Sequence, residues 1–566
     1  IIKIDKNYKI TEETNETNEI YKNKIIYNNK IAYIGDEFTY NSLKDIINIE
    51  YISQNNIDNI LPTDYDFLLC ESTWHGIDGS WKYAFNFYPD KKWSMGLRTI
   101  ITKFKKNNIK CIYYNKEDPT NFERFYNSAE LFDIIITTSD KCVNKYKKIY
   151  PNTNIIALPF LCNPIKHNPL NNKKENVAYF IGGFYNHLNN RTKTTYKLFQ
   201  TLLGNKYNFK IINRHYFFPK ITRQLKRFSQ HKNKYEIDKN FKKYECLPVL
   251  HNEAIHLYKK TLFQLNINTV TDCKTMSSRR LIELLACGCN VYSNESQSID
   301  YLKLPVITNL NTNKTCLYSK YNLEGFYLTH IKFSYIYFIK KLLKLSNITI
   351  RSNVKIKISC INKNNFPEEY KSLLNIDNYN FELILKENKY INKEFIEKLL
   401  IYPYFFDGNI CFTNNENDFF TIKNNLSIDK CIIKTKFDKT LLIPYTNMLY
   451  ENSFKFKKYY DSISINKELD KDSILVVMCL WKRIKYLNNT LQYLENQNIN
   501  KTITLCLWNN NLDNKDKINE MVNELKGKKV KIIIHHSLEN IGGIGRFIFT
   551  KYICEQKIHF QNVIFI

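Results

Sequence analysis

The stretch that decides the fold lies at 265–294: LNINTVTDCKTMSSRRLIELLACGCNVYSN. An apolar strand leads into a loop rich in Ser, Thr and Arg, which is followed by a helical segment and a second apolar run. A strand, a helix and a further strand in this order are typical of a parallel sheet covered by helices. The stretch therefore predicts an α/β domain.

The charged residues of this stretch suit a nucleotide. Arg279 and Arg280 lie where the loop meets the helix, and a guanidinium matches the oxygens of a diphosphate. The backbone N–H groups at the start of the helix would add to that attraction. Glu283 lies on the same side of the helix as Arg280, where a carboxylate can accept hydrogen bonds from ribose hydroxyls. A solvated Arg-Arg-Glu face is the alternative interpretation.

Towards the N-terminus, between about residues 25 and 165, β-rich apolar runs alternate with helical, charged stretches. The runs are KIAYIGDEF (30–38), DFLLCES (66–72), KCIYYNKED (110–118), DIIITTSD (133–140) and NIIALPFLC (154–162). This alternation predicts another parallel sheet. Its carboxyl edge, where open α/β sheets bind ligands, would carry Asp36, Glu37, Glu71, Ser72, Glu117, Asp118 and Asp140.

Two α/β domains with a cleft between them follow from this pattern. The polar segment 163–176 contains two prolines, NPIKHNPLNNKKEN, and is interpreted as an interdomain linker. The second domain opens with VAYFIGGFYNHLNNR (177–191), a strand that runs into a glycine turn. A cleft between two such domains is a common place for a ligand.

The best candidate for a reacting face is ESTWHGIDGSW (71–81). It places Glu71, His75 and Asp78 directly after a strand. A group transfer that inverts the reacting carbon needs a general base at the acceptor hydroxyl, and a histidine or a carboxylate can serve. A retaining transfer needs no such base, and an ordinary polar loop would have the same composition, so both alternatives stay open.

In the C-terminal part, the alternation of apolar runs and helical segments is less regular up to residue 473 and clearer after it. KIKISCIN (355–362), FELILKEN (381–388) and GNICFTN (408–414) are candidate strands, and EFIEKLL is helical in pattern. After 473, apolar runs again alternate with helical segments, up to LENIGGIGRF (538–547) and NVIFI (562–566). The GGxG spacing of 542–545 does not support a dinucleotide or P-loop site.

The region 30–330 resembles CgeB-type (spore-maturation-like) glycosyltransferases, a branch of the GT-B sugar-nucleotide-dependent enzymes. The matching residues in the central stretch are Asn266, Asn268, Thr275, Met276, Arg279, Arg280, Glu283 and Gly288. In IGGFYNHLNNR, Gly182, Gly183 and Arg191 correspond to a turn that faces the cleft. The resemblance implies two Rossmann-like domains, Glu283 on the donor ribose, the arginines near its diphosphate, and no essential metal. It also implies an acceptor-side domain that includes Glu117, Asp118 and Asp140.

The C-terminal part is similar to a second class, the family-2-type GT-A glycosyltransferases. The residues that correspond to its nucleotide site are Arg483, Asn509, Asn510, Asn540, Gly542 and Gly543. That family holds a divalent cation, Mn²⁺ or Mg²⁺, on the donor diphosphate through an Asp-x-Asp motif. The chain ends at VIFI, so we expect these ligands beyond Ile566 and no activity from this domain as it stands. KYINKEFIEKLLIYPYFFDG resembles part of a degenerate unit of the same kind.

These features predict two Rossmann-like GT-B domains followed by α/β GT-A-like segments. The predicted ranges are 1–165 for the acceptor-side domain, 175–330 for the nucleotide-sugar-binding domain, 350–465 for a degenerate GT-A-like or structural segment, and 470–566 for a truncated GT-A domain. The predicted activity transfers a sugar from a nucleotide sugar to a hydroxyl of a glycan, a lipid-linked glycan or a protein. The alternative is a non-catalytic glycan-binding or scaffolding protein with decayed modules.

Charge and cysteines restrict the partners. The chain has 566 residues, with 83 Lys plus Arg against 55 Asp plus Glu, which gives a net charge of +28. The excess is spread along the chain without a nucleic-acid-binding motif, so we expect no nucleic acid but leave open an anionic substrate or peripheral association with an anionic membrane. The 15 cysteines show no framework spacing, which favours a reducing, cytoplasmic location, including the inner face of the membrane.

Overall fold

The computed structural model describes most of the chain in two compact units, 1–444 and 445–566. The described residues are 25–170, 175–216, 235–310, 321–360, 367–385, 393–406, 409–413, 422–424, 433–434, 439–444, 473–480, 484–524, 530–537 and 563–565. Each unit is described by itself. Among the described residues, no helix combines the length and the apolar composition that crossing a bilayer requires.

The first half of unit 1 is built on a six-stranded parallel sheet. Its strands are β1 (Tyr27–Ile34), β2 (Ile47–Tyr51), β3 (Phe67–Glu71), β4 (Lys110–Asn115), β5 (Ile134–Thr137) and β6 (Asn154–Ala157), in the order β2-β1-β3-β4-β5-β6. The helices that accompany them are α1 (Glu37–Leu43), α2 (Lys91–Lys106), α3 (Phe122–Phe125) and α4 (Asp140–Ile149). Every residue of β3 is buried, as expected for a central strand covered on both faces.

The second half of unit 1 carries a five-stranded parallel sheet. Its strands are β7 (Ala178–Gly182), β8 (Phe209–Asn213), β9 (Glu245–Cys246), β10 (Phe263–Asn266) and β11 (Asn290–Ser293), in the order β11-β10-β7-β8-β9. The helices are α5 (Asn189–Gly204), α6 (His251–Lys260), α7 (Arg279–Ala286) and α8 (Gln297–Tyr301). The chain leaves β7 towards β8 on one side and later returns to β10 on the other. The crevice between β7 and β10 is therefore the topological switch point, where open α/β sheets bind ligands.

The segment between these sheets, which the sequence predicts to be an interdomain linker, is buried at several of its polar residues. In the described part, 163–170, Asn163, His167 and Asn168 are buried. The amide of Asn163 donates to the carbonyl of Ser42, at 3.0 Å, and that of Asn168 donates to the carbonyl of Pro164, at 2.8 Å. The polar groups of this part satisfy one another and neighbouring backbone inside the protein, and the interpretation of 163–176 as an interdomain linker stays a prediction.

Two helices return the chain from the second half to the first. They are α9 (Leu323–Lys332) and α10 (Tyr335–Leu345). Between them, the carbonyl of Phe333 accepts a hydrogen bond from the N–H of Cys162, and the N–H of Tyr335 donates back to the carbonyl of Cys162. Further on, Arg351 forms an ion pair with Asp66 at 2.6 Å. The two halves are thus joined at more than one place.

The rest of unit 1 contains a mixed sheet. It consists of β12 (Ile356–Cys360), β13 (Phe381–Leu385), β14 (Asn409–Thr413), β15 (Ile422–Asn424), β16 (Ile433–Lys434) and β17 (Lys439–Pro444), in the order β12-β13-β16-β14-β17-β15, together with helix α11 (Lys393–Leu399). The three candidate strands of the sequence coincide with β12, β13 and β14. The assignment of 350–465 to a degenerate GT-A-like unit stays a prediction, and the boundary between the compact units falls inside this range.

Unit 2 contains a four-stranded parallel sheet in the order β20-β19-β18-β21. Its elements are β18 (Ile474–Leu480), α12 (Leu487–Glu495), β19 (Ile503–Asn509), α13 (Lys515–Glu524), β20 (Val530–His536) and β21 (Val563–Phe565). With its three parallel sheets, the chain confirms the predicted class of Rossmann-like α/β domains followed by further α/β segments. Each of the four sheets lies within one of the four predicted ranges, whose status as separate domains stays a prediction.

Candidate functional site

A cavity of about 810 Å³ lies within unit 1 where the carboxyl edges of the first two sheets face each other. We call it the cleft. The first half lines it with Asp36, Phe38, Lys116, Glu117, Thr120 and Phe160. The second half lines it with the end of β7, with α5 and α6, and with the loop and helix that follow β10. Of the predicted donor-binding residues, Gly182, Gly183, Arg191, Arg279, Arg280 and Glu283 line the cleft.

Gly182 makes room for Arg280 at the switch point. An ideal Cβ at Gly182 would lie 2.7 Å from Nη1 of Arg280, closer than real Cβ atoms approach other atoms. The guanidinium of Arg280 lies 5.1 Å from the centre of the Phe180 ring, so it is packed along β7. The glycine turn thus has a specific task, which is to let a guanidinium lie against the strand end.

Arg280 has hydrogen-bonding capacity that the described part of the chain does not use. Its Nε and Nη1 are buried and have no hydrogen-bond partner among the described residues. Burial lowers the pKa of Arg280; Tyr258 and Glu283 act in the opposite direction, and the nearby charge of Arg214 lowers the pKa further. Burial also lowers the pKa of Arg191 to about 10, with the charges of Arg280 and Arg214 contributing. Three guanidinium groups that repel one another in this way form a site for an anion.

Arg279 has a different environment from its neighbour. Its guanidinium carbon lies 3.4 Å from the centre of the Phe38 ring, which belongs to α1 in the first half. Its Nε lies 3.5 Å from Oε1 of Glu283. Arg279 therefore joins the two halves of unit 1 and balances a buried carboxylate, and Arg280 is the better placed of the two for a ligand.

Glu283 is a buried acid on the floor of the cleft. Its exposed fraction is 2%, and its Oε1 has no hydrogen-bond partner among the described residues. Burial raises the pKa of Glu283 to about 7, although Arg279 and Arg280 act in the opposite direction. The Nε2 atom of His167 lies 4.0 Å from this Oε1. An unpaired carboxylate oxygen in a buried position is free to accept a hydrogen bond from a bound hydroxyl.

His167, His251 and Glu283 have ligand atoms within 4.8 Å of one another, which is a spacing that a metal ion can bridge. The tautomer of His167 argues against that use. The backbone N–H of Asn163 donates to its Nδ1 at 3.0 Å, so the ring proton lies on Nε2, the atom that faces Glu283. A protonated nitrogen cannot bind a metal. Burial, together with the charges of Arg279 and Lys166, lowers the pKa of His251 to about 4, so this ring is neutral near pH 7.

Three of the predicted donor-binding residues do not line the cleft and have structural contacts instead. Asn268 Oδ1 accepts the N–H of Ser278 at 2.8 Å and so positions the start of α7. The hydroxyl of Thr275 accepts the N–H of Asp140 and donates to the carbonyl of Thr138, both at 2.8 Å. Gly288 has a φ of +72°, the left-handed conformation that commonly ends a helix.

The structure does not bring the predicted catalytic residues Glu71, His75 and Asp78 into the cleft. Glu71 is fully buried, and its oxygens accept hydrogen bonds from Tyr33 and Thr39, at 2.6 Å each, and lie 3.1 Å from Lys116. His75 is exposed but does not line the cleft.

Asp78 is exposed and held outside the cleft by Tyr51, Ser53 and Ser80. Burial acts to raise the pKa of this carboxyl, but the hydrogen bonds prevail and lower it to about 2. A group with so low a pKa is a poor base near neutral pH. The catalytic role of all three residues stays a prediction that this geometry does not favour.

Sequence reasoning missed several residues of the cleft. Arg214 follows β8 directly, and Lys116 follows β4. Tyr185, which accepts a hydrogen bond from Arg214 at 2.5 Å, follows the glycine turn. All three come after the carboxyl end of a strand, so attention to every basic or aromatic residue at these positions would have found them.

In unit 2, the predicted nucleotide-binding residues Asn509 and Asn510 are buried and have partners within the unit. The amide of Asn509 donates to the carbonyl of Asn511 at 2.7 Å and lies 3.0 Å from Nδ1 of His536. Asn510 accepts the indole N–H of Trp508 at 3.0 Å. Arg483, Asn540, Gly542 and Gly543 lie outside the described residues.

Comparisons with known proteins find likeness in solved structures alone. No family model and no curated protein matches the chain. The crystal structure of HepE (Alr3699) from Anabaena, in complex with UDP and glucose, aligns with 56% of this chain and 91% of its own, at 10% identity and a TM-score of 0.36. A glycosyltransferase from Rickettsia africae aligns with 56% of this chain and 98% of its own, at 9% identity and a TM-score of 0.31. Likeness at this level says nothing about the residues of the cleft.

Proposed function

We propose that unit 1 is a glycosyltransferase that takes a sugar from a nucleoside-diphosphate sugar and transfers it to a hydroxyl of a glycan, a lipid-linked glycan or a protein. The observation that carries this proposal is the unpartnered guanidinium of Arg280 at the end of β7, with Arg191 and Arg214 beside it. A concave site of about 810 Å³ at a topological switch point suits a ligand of that size.

Each part of the cleft then has a task. Arg191, Arg214 and Arg280 neutralise the diphosphate, and the first N–H groups of α7 add partial positive charge. When the bond between sugar and diphosphate breaks, the same groups stabilise the charge of the leaving group. Glu283 accepts a hydrogen bond from a ribose hydroxyl through its unpaired oxygen. The first half, on the other side of the cleft, receives the acceptor.

Nucleotide binding is the first test. Addition of UDP, GDP or ADP raises the melting temperature of the chain if the cleft binds a nucleoside diphosphate, because the ligand binds the folded state alone. The variant Arg280→Ala should lose most of this rise. Arg124→Ala is the matched control, since Arg124 is exposed and does not line the cleft. A wild-type chain whose melting temperature none of the three nucleotides changes would overturn the proposal.

Turnover separates the enzyme from its alternative. We expect slow hydrolysis of UDP-glucose, UDP-N-acetylglucosamine or GDP-mannose, and its loss in Arg280→Ala and Glu283→Ala. Binding of a nucleotide without turnover of any of these sugars, with or without a mixture of glycan acceptors, would favour a non-catalytic glycan-binding protein.

We propose that unit 1 works without a metal. The protonated Nε2 of His167 supports this, because it removes a ligand from the one candidate cluster that the described residues form. Dialysis against EDTA should leave nucleotide binding and donor hydrolysis unchanged. The cation expected for the GT-A-like domain is a separate requirement that concerns unit 2.

A further inference from the structure

Among the described charged residues that line the cleft, one carboxylate has no ion-pair partner. Lys116 Nζ lies 2.5 Å from Asp36 Oδ2, and Arg279 Nε lies 3.5 Å from Glu283 Oε1. Among the described residues, the remaining cleft cations are Arg191, Arg214 and Arg280, which we have placed on the diphosphate. The remaining acid is Glu117, which forms no ion pair with any described residue.

Glu117 is held firmly by its neighbours. It follows β4, and its backbone N–H donates to Oδ1 of Asn115 at 3.1 Å. Asn121 Nδ2 donates to Glu117 Oε2 at 2.7 Å, which fixes the orientation of the carboxylate. The described residues make no hydrogen bond to its other oxygen, Oε1. A carboxylate with one oxygen fixed and the other free is well prepared to take a proton from a bound group.

The other acids near the first half are less suitable. Asp36 has both oxygens engaged, one by the hydroxyl of Thr73 and one by Lys116. Neither oxygen of Asp36 is therefore free to take a proton from a bound hydroxyl. Glu71 is fully buried behind Lys116, and Asp118 is buried with an oxygen that accepts the hydroxyl of Thr137 at 2.6 Å. Among the described acids of the first half, Glu117 alone combines a place in the cleft with an oxygen that accepts no hydrogen bond.

We propose that Glu117 is the general base of the transfer, an inference that rests on the proposed function. Its Oε1 takes the proton of the acceptor hydroxyl while the hydroxyl oxygen forms a bond to the anomeric carbon. The bond between that carbon and the diphosphate oxygen breaks, and its electron pair stays on the nucleoside diphosphate, opposite the three guanidiniums. The acceptor attacks from the side opposite the leaving group, so the anomeric configuration is inverted.

The test compares Glu117→Gln with Glu123→Gln in the full chain. Glu123 is a matched control because its side chain is 78% exposed and does not line the cleft. Donor hydrolysis, in which water is the acceptor, is measured with UDP-glucose, UDP-N-acetylglucosamine and GDP-mannose. General-base catalysis contributes about 10²- to 10⁴-fold, so we expect Glu117→Gln to lower kcat by at least about 100-fold. Nucleotide-induced stabilisation should stay as in the wild type, and Glu123→Gln should match the wild type in both measurements.

One further measurement distinguishes a base from a residue with a structural role. Formate should restore part of the activity of Glu117→Ala, because it can occupy the space and accept the proton.

A kcat within about threefold of the wild type, or a loss of nucleotide binding as large as in Arg280→Ala, would overturn the role of Glu117 and leave the proposed function standing. A product that retains the anomeric configuration would do the same. A wild-type chain that binds no nucleotide, or binds one without hydrolysing any of the three donors, would overturn the proposed function and this inference together.

Discussion

Gly182 is a residue whose lack of a side chain determines where another residue lies. Because a Cβ at this position would come within 2.7 Å of Arg280 Nη1, Gly182→Ala should push the guanidinium away from the end of β7. The displaced atom is at the tip of a flexible side chain, so the fold should survive. We expect nucleotide affinity to fall about 10-fold or more, which corresponds to about 1.4 kcal/mol, as measured by calorimetry.

Gly204→Ala is the control for that substitution. Gly204 ends α5, and an added Cβ would meet no atom within 4 Å. Its affinity should equal that of the wild type, with unchanged or slightly higher stability. Equal affinity of both variants would show that Arg280 does not need this space to bind the nucleotide.

Glu283 makes stability depend on pH. Its pKa rises from an ordinary value of 4.5 to about 7 on folding, so the folded state holds the proton more tightly than the unfolded state. The stabilisation is complete below pH 4.5 and is lost as the pH rises through 7. The variant Glu283→Gln, which is neutral throughout, should lack this dependence. At pH 8 it should exceed the wild type in stability by about 3 kcal/mol, as an upper bound.

Thermal unfolding between pH 4 and pH 8 checks this expectation. Glu295→Gln serves as the control, because Glu295 is exposed and its substitution should give a melting curve parallel to that of the wild type. A Glu283→Gln variant that is less stable than the wild type at pH 8 would mean that the ionised carboxylate is a net stabilising partner of Arg279.

At the scale of residues, the sequence shows which functional groups are present near the site. It does not show which of these side chains already have hydrogen-bond partners. The sequence could place Arg280 and Glu283 at the cleft, because Arg280 follows a strand at the start of a helix and Glu283 lies one turn further on the same side. Their role in donor binding stays a prediction. The burial of Glu71 could not be predicted, because its partners, Tyr33, Thr39 and Lys116, come from other strands and helices. Whether a carboxylate is a base or part of a buried network depends on such distant partners, which local sequence does not reveal.

At the scale of elements, the loop between β10 and α7 is held by the opposite half of unit 1. Asp140, the first residue of α4, accepts the S–H of Cys273 and the N–H of Lys274 on its Oδ1, each at 2.9 Å. The hydroxyl of Thr275 also accepts the N–H of Asp140 and donates to the carbonyl of Thr138. This loop leads directly into Arg279 and Arg280, so Asp140 helps to position the start of α7, where the two arginines lie.

We therefore expect Asp140→Ala to weaken binding of the nucleotide sugar, although Asp140 does not line the cleft. Loss of the shared acceptor should raise KM about 10-fold and change kcat less, since the reacting groups stay in place. The free energy of unfolding should fall by about 1 kcal/mol, the usual net contribution of a hydrogen bond, because the contacts to Asp140 are partly buried or exposed. Steady-state kinetics with the hydrolysed nucleotide sugar separates the two constants, and Asp140→Asn, which keeps an acceptor oxygen, should recover part of the loss.

Asp272→Ala is the control for this loop. Asp272 forms an ion pair with Lys141, but its side chain is 70% exposed, and exposed pairs contribute little. Its KM should stay near that of the wild type. Similar kinetic constants for Asp140→Ala and Asp272→Ala would show that the loop keeps its position without Asp140.

Strands and helices could be predicted where apolar runs are separated by polar or glycine-containing turns. Buried polar segments could not be predicted as well. The sheets of 27–157 and 178–293 follow from apolar runs that alternate with helical stretches. The segment 163–170 does not, because Asn and His satisfy their hydrogen bonds inside the protein, which composition cannot indicate. The order of the strands in the sheet could not be predicted either, because it depends on packing and not on the order of the apolar runs along the sequence. The switch point beside β7 depends on that strand order.

At the scale of the whole molecule, the net charge of +28 is a poor guide to the site. The cleft depends on a few guanidiniums, and most of the lysines lie elsewhere. The proposal of a diphosphate ligand rests on Arg191, Arg214 and Arg280, which line the cleft after strand ends or on the following helices. The sequence alone could not show that these three arginines lie close together, because they are far apart along the chain and meet only in the folded protein.

All described residues that line the cleft fall between Asp36 and Glu283, and thus within unit 1. A chain that ends at residue 444 should therefore keep the nucleotide-induced rise in melting temperature and a Kd within about twofold of the full chain. The full chain, measured in the same buffer, is the reference, and the truncated chain with Arg280→Ala is the negative control. If the truncated chain folds but binds no nucleotide while the full chain does, then the nucleotide site needs residues of unit 2, and the assignment of the cleft as the donor site is wrong.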